Sequence, residues 1–177
     1  MVKSETPQVC FLARWDPQKR VEIFFKLAKS YPKIQFIAMG HSHDPENDTY
    51  LREKAENIPN LTCPGFVSES KKSKILEESW AMVNTSIREA LPIAFLEALA
   101  HETPIISGEN PDDLTEKYGY PVVDDDYSKS LENMLQSTDR FRKGKMGRDY
   151  VRRIHELDRV VDLHVEAYRQ LMEGKHQ

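Results

Sequence analysis

The sequence predicts an α/β fold in which helices cover both faces of a doubly wound parallel sheet. Six short apolar runs alternate with segments of helical periodicity along the 177 residues, and this alternation is typical of consecutive βαβ units. The length fits one domain with a substantial core. Charged residues make up 31% and hydrophobic residues 39% of the chain, which indicates a globular domain and not a disordered tail.

The six predicted strands are apolar runs bounded by polar, glycine or proline residues. They comprise residues 8–12, 33–39, 61–67, 81–84, 104–107 and 121–123. The third run contains Pro64 and Gly65. These two residues favour an irregular strand end over a centrally paired stretch.

The segments between the strands carry apolar residues at helical spacing. In the first of them, Val21, Phe24, Phe25 and Ala28 fall at i, i+3, i+4 and i+7, which places them on one face. Further helices are predicted at residues 50–57, 68–78, 111–118 and 127–135. From residue 139 the pattern is helical almost to residue 172, with a break expected near residues 144–147 or 157–158.

One stretch, residues 88–106, places two carboxylates around a helix start. Pro92 marks the boundary, because a proline in the first helical turn lacks only an N–H that would have no partner there. Glu89 therefore lies in the turn and Glu97 inside the helix. The spacing predicts an apolar stripe made of Ile93, Leu96 and Ala100.

The loops that follow the strands are the predicted functional rim, because ligands of doubly wound sheets bind at the carboxyl ends of the strands. In the first loop, Arg14 and Lys19 flank Asp16 beside a helix start. Free N–H groups and partial positive charge at a helix start, together with two cations, suit a dianion such as pyrophosphate. The alternative is a pair of solvated surface charges.

Glu89 and Glu97 suggest acid–base chemistry, because glycosidases use paired carboxylates. On a helix, however, eight residues at about 100° each leave the two side chains about 80° apart. Glu89 instead precedes the helix, where its carboxylate and the N–H groups of Ala90 and Leu91 would face a ligand. The alternative is that the glutamates are exposed residues paired with cations.

Several function classes are excluded by composition and motifs. The net charge is -4 without a block of like charge, so nucleic-acid binding is not expected. There is no apolar run of about 20 residues and no signal peptide, so a cytoplasmic location is expected. The sequence has no Gly-x-Gly-x-x-Gly, Walker or metal-ligand spacing, and we expect neither a metal nor another cofactor.

Four motifs occur in a specific order. ARWDPQK follows the first strand, the second strand ends in MG, PGFVS precedes a short helix, and residues 86–106 fit S-x-x-E-A-L-P-x-x-x-L-E-A-L-A-x-x-T-P-I-I. This order resembles the C-terminal, donor-binding domain of the retaining glycosyltransferases of family 4, the group 1 glycosyltransferases. The resemblance covers about residues 9–135.

The resemblance implies one Rossmann-like half of a GT-B fold, with residues 1–177 as a single nucleotide-sugar binding domain and residues 139–177 as its C-terminal helical region. The parent enzyme would transfer a mannose-type or glucose-type hexose, as in polysaccharide biosynthesis, and would be peripheral at a membrane. The N-terminal acceptor domain is expected to be absent or supplied by a partner chain. The isolated domain would then be weakly active or inactive.

Site roles are carried over by matching positions. Arg14 and Lys19 match the basic pair that holds the donor pyrophosphate, and the backbone of Ala90 and Leu91 would meet the distal phosphate or the sugar. Glu89 matches the catalytic-site glutamate beside the donor sugar. Cations at these positions would offset the charge of the departing nucleoside diphosphate.

The remaining roles concern the nucleoside. Glu97 matches the glutamate that binds the ribose hydroxyls, and Phe66 and Val67 would lie along the edge of the base. Glu102 stands where the family usually has a glycine before Thr103. A positive φ there would cost a glutamate about 1 kcal/mol or force a different turn.

Two other hypotheses remain. In a non-catalytic nucleotide-binding or interaction module, Glu89, Arg14 and Lys19 would be engaged with each other instead of open to a ligand. In half of a nucleotide-sugar 2-epimerase, rim acids and a histidine would carry the reaction, and an epimerisation assay would distinguish it. The sequence does not specify the base, the sugar or the acceptor.

Overall fold

The computed structural model of the protein describes residues 1–174. Its strands are β1 (Gln8–Leu12), β2 (Gln35–Met39), β3 (Leu61–Gly65), β4 (Ala81–Asn84), β5 (Ile105–Ser107) and β6 (Gly119–Pro121). They form one sheet in the order β3-β2-β1-β4-β5-β6, and every neighbouring pair is parallel. The predicted doubly wound sheet is therefore confirmed.

Helices pack on both faces of the sheet. They are α1 (Val21–Ser30), α2 (Pro45–Glu56), α3 (Glu69–Glu78), α4 (Ile93–Ala100), α5 (Leu114–Tyr118), α6 (Tyr127–Gln136), α7 (Arg140–His155) and α8 (Leu157–Met172). One core layer contains Phe24 and Leu131, from α1 and α6. The other contains Phe95 and Leu114, from α4 and α5. Burial on both faces explains why the strands are continuous apolar runs.

The centre of the sheet is the point at which the strand order reverses. β1 pairs with β2 on one side and with β4 on the other. The chain moves outward from β1 to β3 and then returns to β4, so the loops after β1 and β4 leave the sheet in opposite directions. A crevice opens at such a switch point. Residues 13–20 and 85–92 form its two sides.

The start of α2 differs from the prediction. The helix begins at Pro45 and not at residue 50. The carboxylate of Asp44 accepts a hydrogen bond from the amide of Glu46 at 3.0 Å. This cap, followed by proline in the first turn, starts a helix inside a segment whose polar composition predicts a loop.

The buried face of α4 also differs from the predicted stripe. Phe95, Ala98 and Leu99 are completely buried, whereas Ile93 is 73% exposed. All residues of α4 except Glu97 are apolar, so their spacing alone does not select a face. Packing against β5 and α7 selects it.

The C-terminal helices separate at Glu156, whose ψ of 137° is extended. This is the second of the two predicted break positions. Gly144 and Gly147 lie inside α7. A Cβ on Gly144 would collide with the backbone of Glu102, and a Cβ on Gly147 with the side chain of Leu99, so both glycines allow α7 to pack closely. α8 has no buried residue. Residues 175–177 of the predicted helical region lie outside the described residues, and within residues 1–174 no helix is long and apolar enough to cross a membrane.

The turn after α4 has the backbone geometry that a glycine would favour. Glu102 has a φ of 56°, and its Oε1 accepts a hydrogen bond from Arg148 Nη1 at 2.7 Å. This hydrogen bond lowers the pKa of Glu102. The turn therefore has the geometry expected for a glycine although a glutamate occupies it, and Arg148 of α7 binds the carboxylate of Glu102.

Candidate functional site

Lys19 and Glu89 meet at the switch point. Lys19 ends a 3₁₀ turn after β1, and Glu89 lies in the loop after β4, 70 residues further along the chain. Lys19 Nζ is 2.6 Å from Glu89 Oε1, and the two side chains are only 15% and 9% exposed. The reversal of strand order thus places a shielded ion pair in the predicted crevice.

The carboxylate of Glu89 is held by more than Lys19. Its Oε1 also accepts hydrogen bonds from Ser86 Oγ at 2.6 Å and from Asn84 Nδ2 at 3.0 Å. The amide of Glu89 donates to Glu109 Oε2 at 3.0 Å. Sequence reasoning missed these three residues. A polar residue such as Asn84 at the end of a buried apolar strand was the available signal.

The protonation of Glu89 follows from these contacts. Burial alone would raise the pKa of its carboxyl, but hydrogen bonds from Lys19, Ser86 and Asn84 outweigh burial and hold the pKa below its usual value of 4.5. Glu89 is therefore a carboxylate at neutral pH. It is suited to accept hydrogen bonds or stabilise positive charge, and not to act as a general acid.

The start of α4 presents free donors beside this pair. Pro92 is the N-cap of α4 and makes no side-chain cap. Ala90 and Leu91 are exposed, and their amides donate no hydrogen bond within residues 1–174. Free amides at the start of a helix favour an anion.

Glu97 forms a second ion pair, with a lysine that sequence reasoning also missed. Lys72 Nζ lies 2.5 Å from Glu97 Oε1 and 2.8 Å from Glu69 Oε1. Burial opposes the charge of Lys72, but its hydrogen bonds to Glu69 and Glu97 outweigh that effect and raise its pKa. Glu89 and Glu97 thus contact different lysines.

A cleft of about 320 Å³ adjoins the second pair. Its walls include Arg14, Phe66, Val67 and Lys72. Phe66 is 86% exposed, so an aromatic face is open to a planar ligand. Another groove, of about 380 Å³, lies between α1 and α2, away from the crevice.

Arg14 and Lys19 do not share a partner. Arg14 Nη2 lies 3.2 Å from Asp16 Oδ2, and the Arg14 side chain is 60% exposed. The interaction-module hypothesis expects Arg14, Lys19 and Glu89 to engage one another. Lys19 and Glu89 do so, whereas Arg14 remains at the edge of the cleft.

Histidine side chains also line the cleft. The rings of His41 and His43 are stacked with their centroids 5.3 Å apart. Within residues 1–174, no group of three histidine, cysteine, aspartate or glutamate side chains is arranged to hold a metal ion.

Comparison with known proteins identifies a family. The model of the family "Glycosyl transferases group 1" matches residues 2–113. The glycosyltransferase 1 domain-containing protein 1 of Xenopus tropicalis is 28% identical over 104 residues, which are 58% of this chain and 30% of that protein.

Solved structures share the fold. Sucrose-phosphate synthase from Thermosynechococcus elongatus superimposes with a TM-score of 0.80 at 21% identity, covering 98% of this chain and 47% of that one. Anabaena HepE in complex with UDP-glucose gives a TM-score of 0.78 at 13% identity, covering 94% and 49%. The chain therefore spans less than half the length of each of these proteins.

Proposed function

The chain belongs to the group 1 glycosyltransferases, and we propose that it is the nucleotide-sugar binding domain of a retaining enzyme that transfers a hexose to an acceptor. The observation that carries the proposal is the Lys19–Glu89 pair. It lies at the switch point of a doubly wound sheet, where ligands of such sheets bind. The free amides of Ala90 and Leu91 lie beside it.

The pyrophosphate of the donor would bind where cations and free amides converge. Lys19 would share its charge between Glu89 and a phosphate oxygen, and the amides of Ala90 and Leu91 would donate to the distal phosphate. Arg14, which is exposed and holds Asp16 at 3.2 Å, would move to the phosphates. Fixed donors of this kind stabilise the charge that grows on a departing diphosphate.

Glu89 would then face the donor sugar. Its lowered pKa supports the role of an ionised carboxylate that accepts hydrogen bonds from sugar hydroxyls or stabilises positive charge on the sugar ring. Glu97, fixed by Lys72, would accept from the ribose hydroxyls. The exposed Phe66 and the adjacent Val67 would edge the base in the cleft.

The donor sugar is proposed as a hexose of the glucose or mannose type. HepE, which shares the fold, is seen with UDP-glucose, and this makes UDP-glucose the first donor to test. No metal is assigned a role; Lys19, Arg14 and the amides of Ala90 and Leu91 are the proposed donors to the diphosphate. A second Rossmann-like domain, in the same or another chain, would supply the acceptor site.

Calorimetry with UDP, GDP and ADP tests the proposal. We expect one of them to bind, and Lys19→Ala to weaken that binding at least tenfold. The matched control is Lys54→Ala, which also removes a lysine from an ion pair, with Glu22 Oε1 at 2.5 Å, but in the groove between α1 and α2. It should leave the affinity unchanged. Absence of binding to all three nucleotides, or equal effects of the two substitutions, would contradict the proposal.

A non-catalytic interaction module is the second candidate. The contact between Lys19 and Glu89 favours it, because the ion pair already satisfies both charges. It predicts that no nucleotide binds and that Lys19→Ala changes only stability. The calorimetry therefore separates the two functions.

A further inference from the structure

Arg20, the residue that joins the 3₁₀ turn of Lys19 to α1, has an unusual backbone conformation. Its φ is 48° and its ψ is 43°, in the left-handed region that L-residues rarely adopt. Within residues 1–174, no side chain caps α1 at this point. A non-glycine residue persists in such a conformation when the surrounding structure holds it there.

The side chain of Arg20 is held on both edges of its guanidinium. Nη1 and Nη2 donate to the two carboxylate oxygens of Asp125 at 2.7 and 2.9 Å, and Nη2 also lies 3.3 Å from Tyr127 Oη. Nε donates to the carbonyl of Thr85 at 2.7 Å. Asp125 itself has a φ of 60°. Two residues in left-handed conformations, from separate loops, are thus joined by a bidentate ion pair, which is geometrically specific.

Further hydrogen bonds join the two loops that carry Lys19 and Glu89. Thr85 Oγ1 donates to the carbonyls of Lys19 at 2.5 Å and Arg20 at 3.1 Å. The amide of Ile87 donates to the carbonyl of Gln18 at 3.0 Å. The loop after β1 and the loop after β4 are therefore connected immediately behind Lys19. Asp125, in the loop after β6, binds Arg20, and Arg20 in turn binds the carbonyl of Thr85.

We propose that Arg20, through the Arg20–Asp125 pair, is a positioning residue that fixes Lys19 relative to Glu89 before the donor arrives. Its guanidinium makes four contacts with protein groups, so it acts through Lys19 and not on the ligand. The role of Arg20 in donor binding rests on the proposed function. Its role in ordering the loop after β4, which contains Thr85, does not depend on that function and is measured separately.

The first measurement is amide hydrogen exchange of residues 86–89 in the ligand-free protein. Arg20→Gly keeps a residue that accepts positive φ and removes the guanidinium, and Asp125→Asn removes the charge of the partner with little change of shape. In both variants, the amides of residues 86–89 should exchange at least fivefold faster than in the wild type. The control, Arg142→Ala, removes another bidentate arginine–aspartate pair, made with Asp139 at the start of α7, and should leave these exchange rates unchanged. Unchanged exchange in both test variants would overturn the proposal.

The second measurement is UDP affinity by NMR titration, in the wild-type and the Lys19→Ala backgrounds. Asp125→Asn should weaken binding about tenfold when Lys19 is present and less than twofold when it is absent, because residues that act as a unit are not additive. An equal factor in both backgrounds would show that the Arg20–Asp125 pair does not act through Lys19. Absence of UDP, GDP and ADP binding in the wild type would contradict the proposed function, while the exchange rates would still decide whether the pair orders the loop.

Discussion

Two glutamates of one loop–helix unit, Glu89 and Glu97, each pair with a lysine from another element, and the two pairs differ in how completely they are enclosed. Glu89 is 9% exposed and receives three donors on one oxygen. Glu97 is 29% exposed, and its partner Lys72 is shared with Glu69, which is 86% exposed. The N–O distances are 2.6 and 2.5 Å, but Glu97 is more exposed than Glu89, so we expect water to screen the second pair more strongly and that pair to contribute less to stability.

The largest effect is expected from Glu89→Gln. The substitution leaves the shielded ammonium of Lys19 without a carboxylate, and an uncompensated charge at a shielded position is costly. We expect the free energy of unfolding to fall by about 2 kcal/mol, measured by urea denaturation. If the free energy of unfolding fell by less than about 0.5 kcal/mol, as for exposed ion pairs, the Lys19–Glu89 pair would be no stronger than the Lys72–Glu97 pair.

Acid titration sharpens the same distinction. The pKa of Glu89 is lower in the folded protein than its usual 4.5, so the folded state favours the carboxylate. The resulting stability is present above pH 4.5 and is lost as the pH falls through the folded pKa. The stability difference between the wild type and Glu89→Gln should therefore be constant from neutral pH to about pH 5 and shrink below pH 4.5. A difference that persists unchanged to pH 2 would show that charge is not its cause.

The smallest effect is expected from Glu97→Gln. Lys72 would still pair with Glu69, 2.8 Å away, and Glu97 is partly exposed to water. The free energy of unfolding should therefore fall by only about 0.5 kcal/mol. Nucleotide affinity should fall nonetheless, because the ribose would lose an ionised acceptor. Glu69→Gln is the matched control, since it removes the other partner of Lys72. A loss of stability as large as that of Glu89→Gln would mean that the two pairs are equivalent.

Much of the fold follows from the sequence because local patterns determine it. Six buried strands predict a doubly wound sheet, and the structure has it. The face of α4 was predicted wrongly, because a helix that is apolar almost all round has no unique inward side. The start of α2 was predicted wrongly for a different reason, since the cap at Asp44 makes a helix out of a polar segment.

The candidate site was predictable only as a set of residues on one rim. Lys19, Glu89, Arg14 and Glu97 were all assigned to it, and their roles in donor binding remain predictions. The sequence did not indicate which lysine contacts which glutamate. Nor did it indicate that Lys72 would hold Glu97 or that Asp125 would hold Arg20.

The sequence by itself determined the order of strands and helices, the position of the two glutamates around a helix start, and the family to which the chain belongs. These properties depend on neighbouring residues and on motif order. Tertiary structure alone decided the ion pairs, the joining of three loops by Arg20 and Asp125, and the support of Glu102 by Arg148. Each of these contacts joins residues far apart in the chain, and their distances depend on how the sheet and helices pack.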